Sequence, residues 1–363
     1  MEGPRSPYKE EQQEIIDFLD HNLRDHVDWS LKDEYPTVFE NNNSYNVKII
    51  KKDDKILSHA VTKVHIVKTP VGIFKVAAIG SVCTDKNHRN QGLSRKVLEA
   101  SIEAARNHGC DFAILWSDLY DFYKKLGFEA AGREHSWLLD KKFEIEPHQL
   151  KIIKGKNISG EALLRLYTHH TVGVVRTPRD YQRFLEIPNS NIYTAWDQNN
   201  QLKAYAVEGK GADLAGYIHE WGGNLSHLFP LLNYALEDQQ KPLRLITPEH
   251  SLNLNKKLTE KGYSHHQGFL GLIKILIPQN LMSKVKRHAR ALGIDDFIFE
   301  YQEGFFYIGT VDNLFKTDSE IDLTRLIFGP SKASQIYNFD SKTKETLETC
   351  LPIPMWMWGW DSI

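Results

Sequence analysis

Hydrophobic positions in the first part of the chain switch between helical and extended periods. Ile15, Ile16, Leu19 and Leu23 recur at helical spacing and predict a helix over 10–24 with one buried face, followed by a short helix near Glu34 to Phe39. Strands are predicted at about 46–52, 56–68 and 73–84, the last two joined by the turn Thr69-Pro70-Val71-Gly72. The apolar run Val76 to Val82 gives way to a polar loop. Beyond it, Val97, Leu98 and Ile102 share one face of a helix over 93–108 that Gly109 closes. A buried-type strand from Asp111, a short helix ending at Gly127 and a last strand at about Glu134 to Leu139 complete this stretch, before a boundary near Lys141 to Leu150.

The pattern then repeats. Ile49 to Val61 reads as strand, polar turn, strand closing on Ala-Val, and so does Tyr193 to Val207. Lys256-Lys257-Leu258 and Gly262-Tyr263 echo Lys124-Lys125-Leu126-Gly127-Phe128, again after a strand (Leu243 to Thr247) and before an apolar one (Phe269 to Leu276). Helices at about 159–170 and 178–186 open this second copy. After Pro278 come a basic helix (Leu281 to Leu292), a two-strand unit (Phe297 to Tyr301 and Phe305 to Thr310) and a helix Glu320 to Phe328 stopped by Gly329-Pro330. The chain is therefore expected to be α/β with mixed sheets, divided into 1–145, 146–278 and a small α/β unit over 279–363.

The loop between strand and helix carries the first chemistry. Val82-Cys83-Thr84-Asp85-Lys86-Asn87-His88-Arg89-Asn90-Gln91-Gly92-Leu93-Ser94 sets a helix start after a strand end, where unpaired N–H groups and the positive end of the helix dipole converge. That suits a pyrophosphate. Arg89 adds a full charge, Gly92 lets the backbone approach, and Asn90, Gln91 and Ser94 offer further donors. Only one glycine is present and no Gly-Lys-Ser/Thr follows, so neither the dinucleotide fingerprint nor a P-loop fits.

Arg89-Asn90-Gln91-Gly92-Leu93-Ser94 resembles instead the R/Q-x-x-G-x-G/A signature of the GNAT superfamily of N-acetyltransferases, with Ser94 at the position usually held by Gly or Ala. About thirty residues on, Phe122-Tyr123-Lys124-Lys125-Leu126-Gly127-Phe128 is similar to the superfamily's FYxKxGF segment, and the two in this order make a joint signal. The resemblance implies two tandem GNAT folds, the second degenerate. It also implies acetyl-CoA as donor, with Val82, Cys83 and Thr84 on the pantetheine arm, Arg89 to Arg95 (Leu93 and Arg95 included) on the pyrophosphate, and Ser117 completing the cofactor set. Tyr123 would protonate the departing thiolate, a role a phenol of reference pKa about 10 can fill because it stays protonated at neutral pH.

The second copy has lost this chemistry. Its linker Gly222-Gly223-Asn224-Leu225, between the strand Ala215 to Trp221 and a helix beginning near Ser226, lacks an arginine, and the position matching Tyr123 is Leu258. Glu220 and Trp221, an acid and an aromatic at the end of a central strand, are candidates to line a substrate cleft facing the active copy; a strand end with a capping carboxylate reads equally well.

Composition fits a soluble enzyme: 363 residues, 41% hydrophobic, 25% charged and a formal net charge of -2, which implies no nucleic-acid or other polyanion partner. No run of eighteen apolar residues predicts a membrane span, and Met1-Glu2-Gly3-Pro4-Arg5 begins no signal or transit peptide, so a cytosolic location is expected. Cys83, Cys110 and Cys350 are odd in number and scattered, and the adjacent pairs His169-His170 and His265-His266 point to different sides of an element, so neither disulfides nor a metal are expected.

The segment Pro352-Ile353-Pro354-Met355-Trp356-Met357-Trp358-Gly359-Trp360-Asp361-Ser362-Ile363 is too apolar for a frayed tail and is expected to dock. Two acetyltransferase-like domains and a smaller α/β unit resemble the enhanced intracellular survival family, whose third domain is similar to sterol carrier proteins. That resemblance implies a terminal carboxylate near the catalytic tyrosine, here Ile363; domain packing alone would also account for the tail.

The expected reaction is acetyl transfer from acetyl-CoA to an amine in a ternary complex. Three bases are open: the Ile363 carboxylate, a water chain and Glu220. So are two acceptors, an aminoglycoside-like amine and a protein lysine. A reading from another class is a regulatory protein that binds acyl-CoA or a lipid without turnover. Oligomeric state is left open, homo-oligomers included.

Overall fold

The computed structural model describes all residues 1–363. The first segment runs β1 (Glu2–Arg5), α1 (Gln12–Leu23), α2 (Leu31–Glu34), β2 (Val47–Lys52), β3 (Lys55–Thr69), β4 (Gly72–Thr84), α3 (Leu93–Asn107), β5 (Phe112–Leu115), α4 (Tyr120–Lys124), β6 (Glu129–Ala131) and β7 (Glu134–Leu139). The second runs β8 (Lys151–Lys154), α5 (Gly160–Tyr167), β9 (Gly173–Val174), α6 (Pro178–Phe184), β10 (Asn191–Trp196), β11 (Leu202–Lys210), β12 (Asp213–Gly223), α7 (Leu225–Gln239), β13 (Leu243–Pro248), α8 (Leu252–Glu260), β14 (His265–Gly268) and β15 (Gly271–Ile275). The third holds α9 (Pro278–Ala291), β16 (Phe297–Gln302), β17 (Phe305–Thr310), β18 (Leu314–Thr317), α10 (Glu320–Phe328), α11 (Ala333–Ile336) and α12 (Ser341–Cys350), and then the aromatic tail.

Two mixed sheets face the same design problem in the same way. In the first, the order is β1-β2-β3-β4-β5-β15-β6, with β9 also on β3; in the second it is β14-β7-β13-β12-β11-β10-β8. Each has one parallel pair at its centre, β4 with β5 and β12 with β13, and each pair is bridged by a long helix, α3 or α7. The internal repeat is thus a repeat of fold.

The copies exchange a strand. β7 follows the first copy in sequence, yet it pairs antiparallel with β13 (Leu243↔Leu139 through Pro248↔Glu134) and with β14. β15 returns the exchange by pairing with β5 (Leu272↔Leu115 through Ile275↔Phe112) and with β6. Glu134–Leu139 is therefore a strand as its pattern predicts, but one of the second sheet, and the strand expected over Phe269 to Leu276 belongs to the first. Backbone groups of β5 that would otherwise lie at an open edge find partners only across the exchange.

The core follows this interleaving. One cluster of 67 buried residues runs from Val76, Phe112 and Ile114 of the first sheet through Trp137 and Leu245 of the second to Phe299, Leu326 and Trp358 of the third segment and tail. Val97, Leu98 and Ile102 of α3 are buried as their spacing predicts, each contributing about 1.5–3 kcal/mol by leaving water. The third segment has three strands, not two: β18 adds to β17 (Phe306↔Thr317 through Gly309↔Leu314).

Candidate active site

The loop expected to hold the donor is built where β4 ends. Asp85 accepts from the backbone of Asn87 at 2.9 Å and contacts His88 Nδ1 at 2.8 Å, turning the chain. Asn90 (φ 63°) and Gly92 (φ 73°) then bring it to the start of α3 in left-handed conformations. No atom lies within 4 Å of where a Cβ on Gly92 would point, so the helix start is open to an incoming group. Arg89 is exposed and has no ion-pair partner, whereas Arg95 is paired to Glu99 at 2.7 Å. Gln91 is exposed beside them. Leu93 is buried and offers only its backbone N–H; Cys83 is buried too, which pushes its thiol up to about 11.

Ser94, the departure from the signature, has a reason. Its hydroxyl lies 2.6 Å from that of Thr84, which in turn lies 2.9 Å from the Ser58 hydroxyl, itself bonded to the Cys83 carbonyl at 3.0 Å. The side chain turns back and ties the helix start to the strand end.

β4 and β5 part company before this loop. Their register runs Val76↔Phe112, Ala77↔Ala113 and Ala78↔Ile114 and goes no further. Beyond it Ser81 takes φ 48°, the pairing of β3 with β4 shifts between His59 and Val61, and His59 Nδ1 meets the Ser81 carbonyl at 2.8 Å. The backbone from Gly80 through Val82, Cys83 and Thr84 keeps β3 on one side and has no strand on the other, which leaves its amide groups free to pair with an extended ligand.

Tyr123 sits on α4, 6% exposed, packed against Phe122 and Phe128 with ring centroids 5.0 and 6.0 Å away. Burial raises its hydroxyl above the usual phenol value, with the Ser117 side chain pulling the other way, so it is held as an acid. Ser117 lies in the loop between β5 and α4, and Tyr123 on α4 shares a buried cluster with Ala77 and Ile79 of β4.

The aromatic tail fills the space between the sheets. Trp356, Trp358 and Trp360 are all buried, and Trp358 donates to the Val172 carbonyl at 3.2 Å. A Cβ on Gly80 would lie 2.6 Å from the Ile363 carbonyl carbon, so Ile363 rests on β4 where the sheet opens. Two basic residues of the second copy hold it there. Lys210 donates to the carbonyls of Gly359 at 2.8 Å and Ser362 at 2.5 Å; burial pulls its ammonium down to about 8. Arg176, fully buried, grips Asp361 (2.7 and 3.0 Å) and Glu220 (2.8 and 3.0 Å). Burial opposes the charge on Arg176, and the two carboxylates outweigh it.

Glu220 is thereby committed. It is 0% exposed, also accepts from Tyr205 at 3.1 Å, and lines no part of the cavity beside Ile363. Trp221, 6% exposed, donates to the Ile246 carbonyl at 3.1 Å and faces a separate cleft of the second copy with His170 and Asn224. The structure keeps this pair out of the cavity beside Ile363. Gly80, Glu134, Arg176, Lys210 and Asp361 escaped the sequence reading; a glycine within the apolar run Val76 to Val82 is the one local sign of a close approach.

No group of three or more His, Cys, Asp or Glu side chains is placed to hold a metal, the three cysteines are free, and no helix is long and apolar enough to cross a membrane.

Known proteins share this architecture. The fold is that of tandem GNAT proteins carrying an extra α/β unit. A conserved Enterococcus faecalis protein of unknown function, described as a probable N-acyltransferase, superposes with TM-score 0.67 at 14% identity, covering 99% of both chains. A GCN5-related N-acetyltransferase from Anabaena variabilis gives 0.66 at 12%, and Eis1 from Mycobacterium abscessus 0.64 at 9%, each again over 99% of both chains. By sequence, residues 4–131, about a third of the chain, match the family described as "Acetyltransferase (GNAT) domain", and this stretch contains the donor loop and Tyr123. No curated protein matches the sequence.

Proposed function

We propose that the chain is an N-acetyltransferase that moves the acetyl group of acetyl-CoA directly to an amine in a ternary complex. One observation carries the proposal: β4 loses its β5 partner beyond Ala78, before the loop that carries the exposed Arg89 to the open start of α3, and Tyr123 packs in the same buried cluster as Ala77 and Ile79 of β4, with Val82 against it. The α3 N–H groups and Arg89 would hold the pyrophosphate, and the β4 backbone over Val82 to Thr84 the pantetheine arm. The thioester supplies the activated acyl carbon. The amine nitrogen attacks it, the carbon–sulfur bond breaks, Tyr123 gives its proton to the leaving thiolate, and the proton that the new amide nitrogen sheds restores the phenol.

A base must take one proton from the ammonium. Glu220 is set aside because both its oxygens are engaged and it is sealed from solvent. The Ile363 carboxylate is the proposed base, supported by its seat on Gly80 at the mouth of the gap. The division at 145 and 278 and the sterol-carrier-like reading of 279–363 are part of the same proposal; the latter draws support from the three-stranded antiparallel sheet and the helices α9 and α12 against it.

The test is release of free CoA thiol from acetyl-CoA across polyamines, aminoglycosides and lysine peptides, with Tyr123→Phe as control. Release that depends on Tyr123 supports transfer. Binding of acetyl-CoA with no release from any amine would favour the non-catalytic acyl-CoA-binding alternative.

A further inference from the structure

A cavity of about 430 Å³ lies between the two sheets, next to the gap where β4 and β5 separate. It reaches from Trp116, at the end of β5 and one residue before Ser117, to Ile363 on β4. The strand exchange builds its far wall: Phe269 and Leu270 link β14 to β15, Glu134 opens β7, and the Trp116 indole donates to the Leu270 carbonyl at 2.7 Å. The volume is that of a small-molecule site.

The charges on this wall differ in how far they are already engaged. Lys210 is spent on the tail carbonyls. Asp213 accepts from the Tyr35 hydroxyl and from Arg24 at 3.1 Å. Glu134 has no hydrogen-bond donor and no cation against either oxygen, although it is half-buried, and burial pushes its carboxyl up to about 7. The rest of the wall is mostly apolar and aromatic. A half-buried carboxylate without a partner is unfavourable unless something arrives to pair it.

Resting on the acetyltransferase reading above, we propose that this cavity takes the acceptor, that Glu134 holds its ammonium, and that the acceptor is a compact primary amine on an apolar or aromatic body. A polycation would bring several ammonium groups to a wall with one free side-chain carboxylate and leave the others stranded among apolar side chains. A single ammonium on a hydrocarbon body matches both parts of the wall. Glu134 is a substrate-binding residue in this scheme, and the bond-making step is unchanged by it.

The test uses the full chain, with 2-phenylethylamine as the apolar probe, spermidine and kanamycin as polycations, and 2-phenylethanol as the uncharged analogue. Calorimetry reads amine binding directly; thiol release from acetyl-CoA reads turnover. Expected is tighter binding of 2-phenylethylamine than of either polycation, a loss of about tenfold or more in Glu134→Gln, and partial retention in Glu134→Asp, with acetyl-CoA affinity unchanged in both variants. 2-Phenylethanol should not distinguish the wild type from Glu134→Gln. Preference for a polycation, or amine binding indifferent to Glu134→Gln in a variant that still binds acetyl-CoA, overturns the assignment even if transfer occurs. Glu134-dependent amine binding with no thiol release upholds the cavity and defeats the catalytic reading instead.

Discussion

Ile363 lies so close on Gly80 that a methyl group there would come within 2.6 Å of its carbonyl carbon and 2.8 Å of its carbonyl oxygen. Gly80 is not needed for its own dihedral angles; it is needed because another part of the chain occupies the place of its side chain. Gly80→Ala should therefore expel the last residues from the gap without touching the donor loop. Steady-state kinetics should show kcat/KM for the amine falling about 100-fold while acetyl-CoA affinity holds, since a displacement near 1 Å is enough for such a loss.

Tyr123→Phe removes one hydroxyl and keeps the ring between Phe122 and Phe128. Turnover should drop by roughly 10²–10⁴-fold, the worth of a positioned proton donor. Thermal unfolding and acetyl-CoA binding should be unchanged. A variant with full activity would remove Tyr123 from the reaction.

Arg89→Ala should weaken CoA by about tenfold, the scale of a charge-assisted hydrogen bond, and should flatten the salt dependence of binding because the arginine is exposed and unpaired. Arg95→Ala should matter less, its guanidinium being shared with Glu99. Titration calorimetry at two ionic strengths separates the two.

Arg176→Met takes the cation from between Glu220 and Asp361 and leaves two buried carboxylates facing each other. Destabilisation of about 3–5 kcal/mol is expected, read from the urea midpoint, because an uncompensated buried charge costs more than a pair is worth. Tryptophan fluorescence should report the tail leaving its seat, as Trp360 packs against Phe184 and Tyr181 beside Arg176.

The pH profile should carry the signature of Glu134. Burial holds its carboxyl at about 7, so kcat/KM for an amine rises as pH passes through that value and the carboxylate forms, the amine itself staying an ammonium up to about pH 10. Other titrating groups face the same cavity: Lys210 at about 8, His219 at about 3, Tyr35 far above its usual value, and Asp213, Tyr217 and the Ile363 carboxylate beside them. Glu134→Gln should erase the limb near 7 and leave any step from Lys210 near 8. The sign for stability is opposite. A carboxyl raised in the folded state binds protons that the unfolded chain has already lost, so stability falls as pH rises from 4.5 to about 7, and Glu134→Gln should remove that fall.

The strand, loop and helix around Arg89 and Gly92 could be read in the sequence because their parts are contiguous: strand end, Arg89, Gly92, helix start and, one strand later, the short helix of Tyr123. The repeat could be read for the same reason. What could not be read was which sheet a strand joins, since the alternation of Glu134–Leu139 specifies a strand and one buried face but no partner. Glu134, Lys210 and Arg176 acquire their roles only through that pairing and through the tail. β1 and β18 are four residues each, the first holding Gly3 and Pro4, and gave no strand pattern. α12 shows only Leu347 and Cys350 as apolar positions on an otherwise polar helix, too few to mark a periodic face.

The crossed strands also fix an order of events during synthesis. When β5 and β6 leave the ribosome, the strand that belongs between them is well over a hundred residues from being made, and β7 must wait for β13 as well. The first copy therefore cannot close before the second has been made. A nascent chain halted between the two would expose the edges of β5 and β6 to any other strand in the cell, and a second nascent copy of this chain offers the best-matched one.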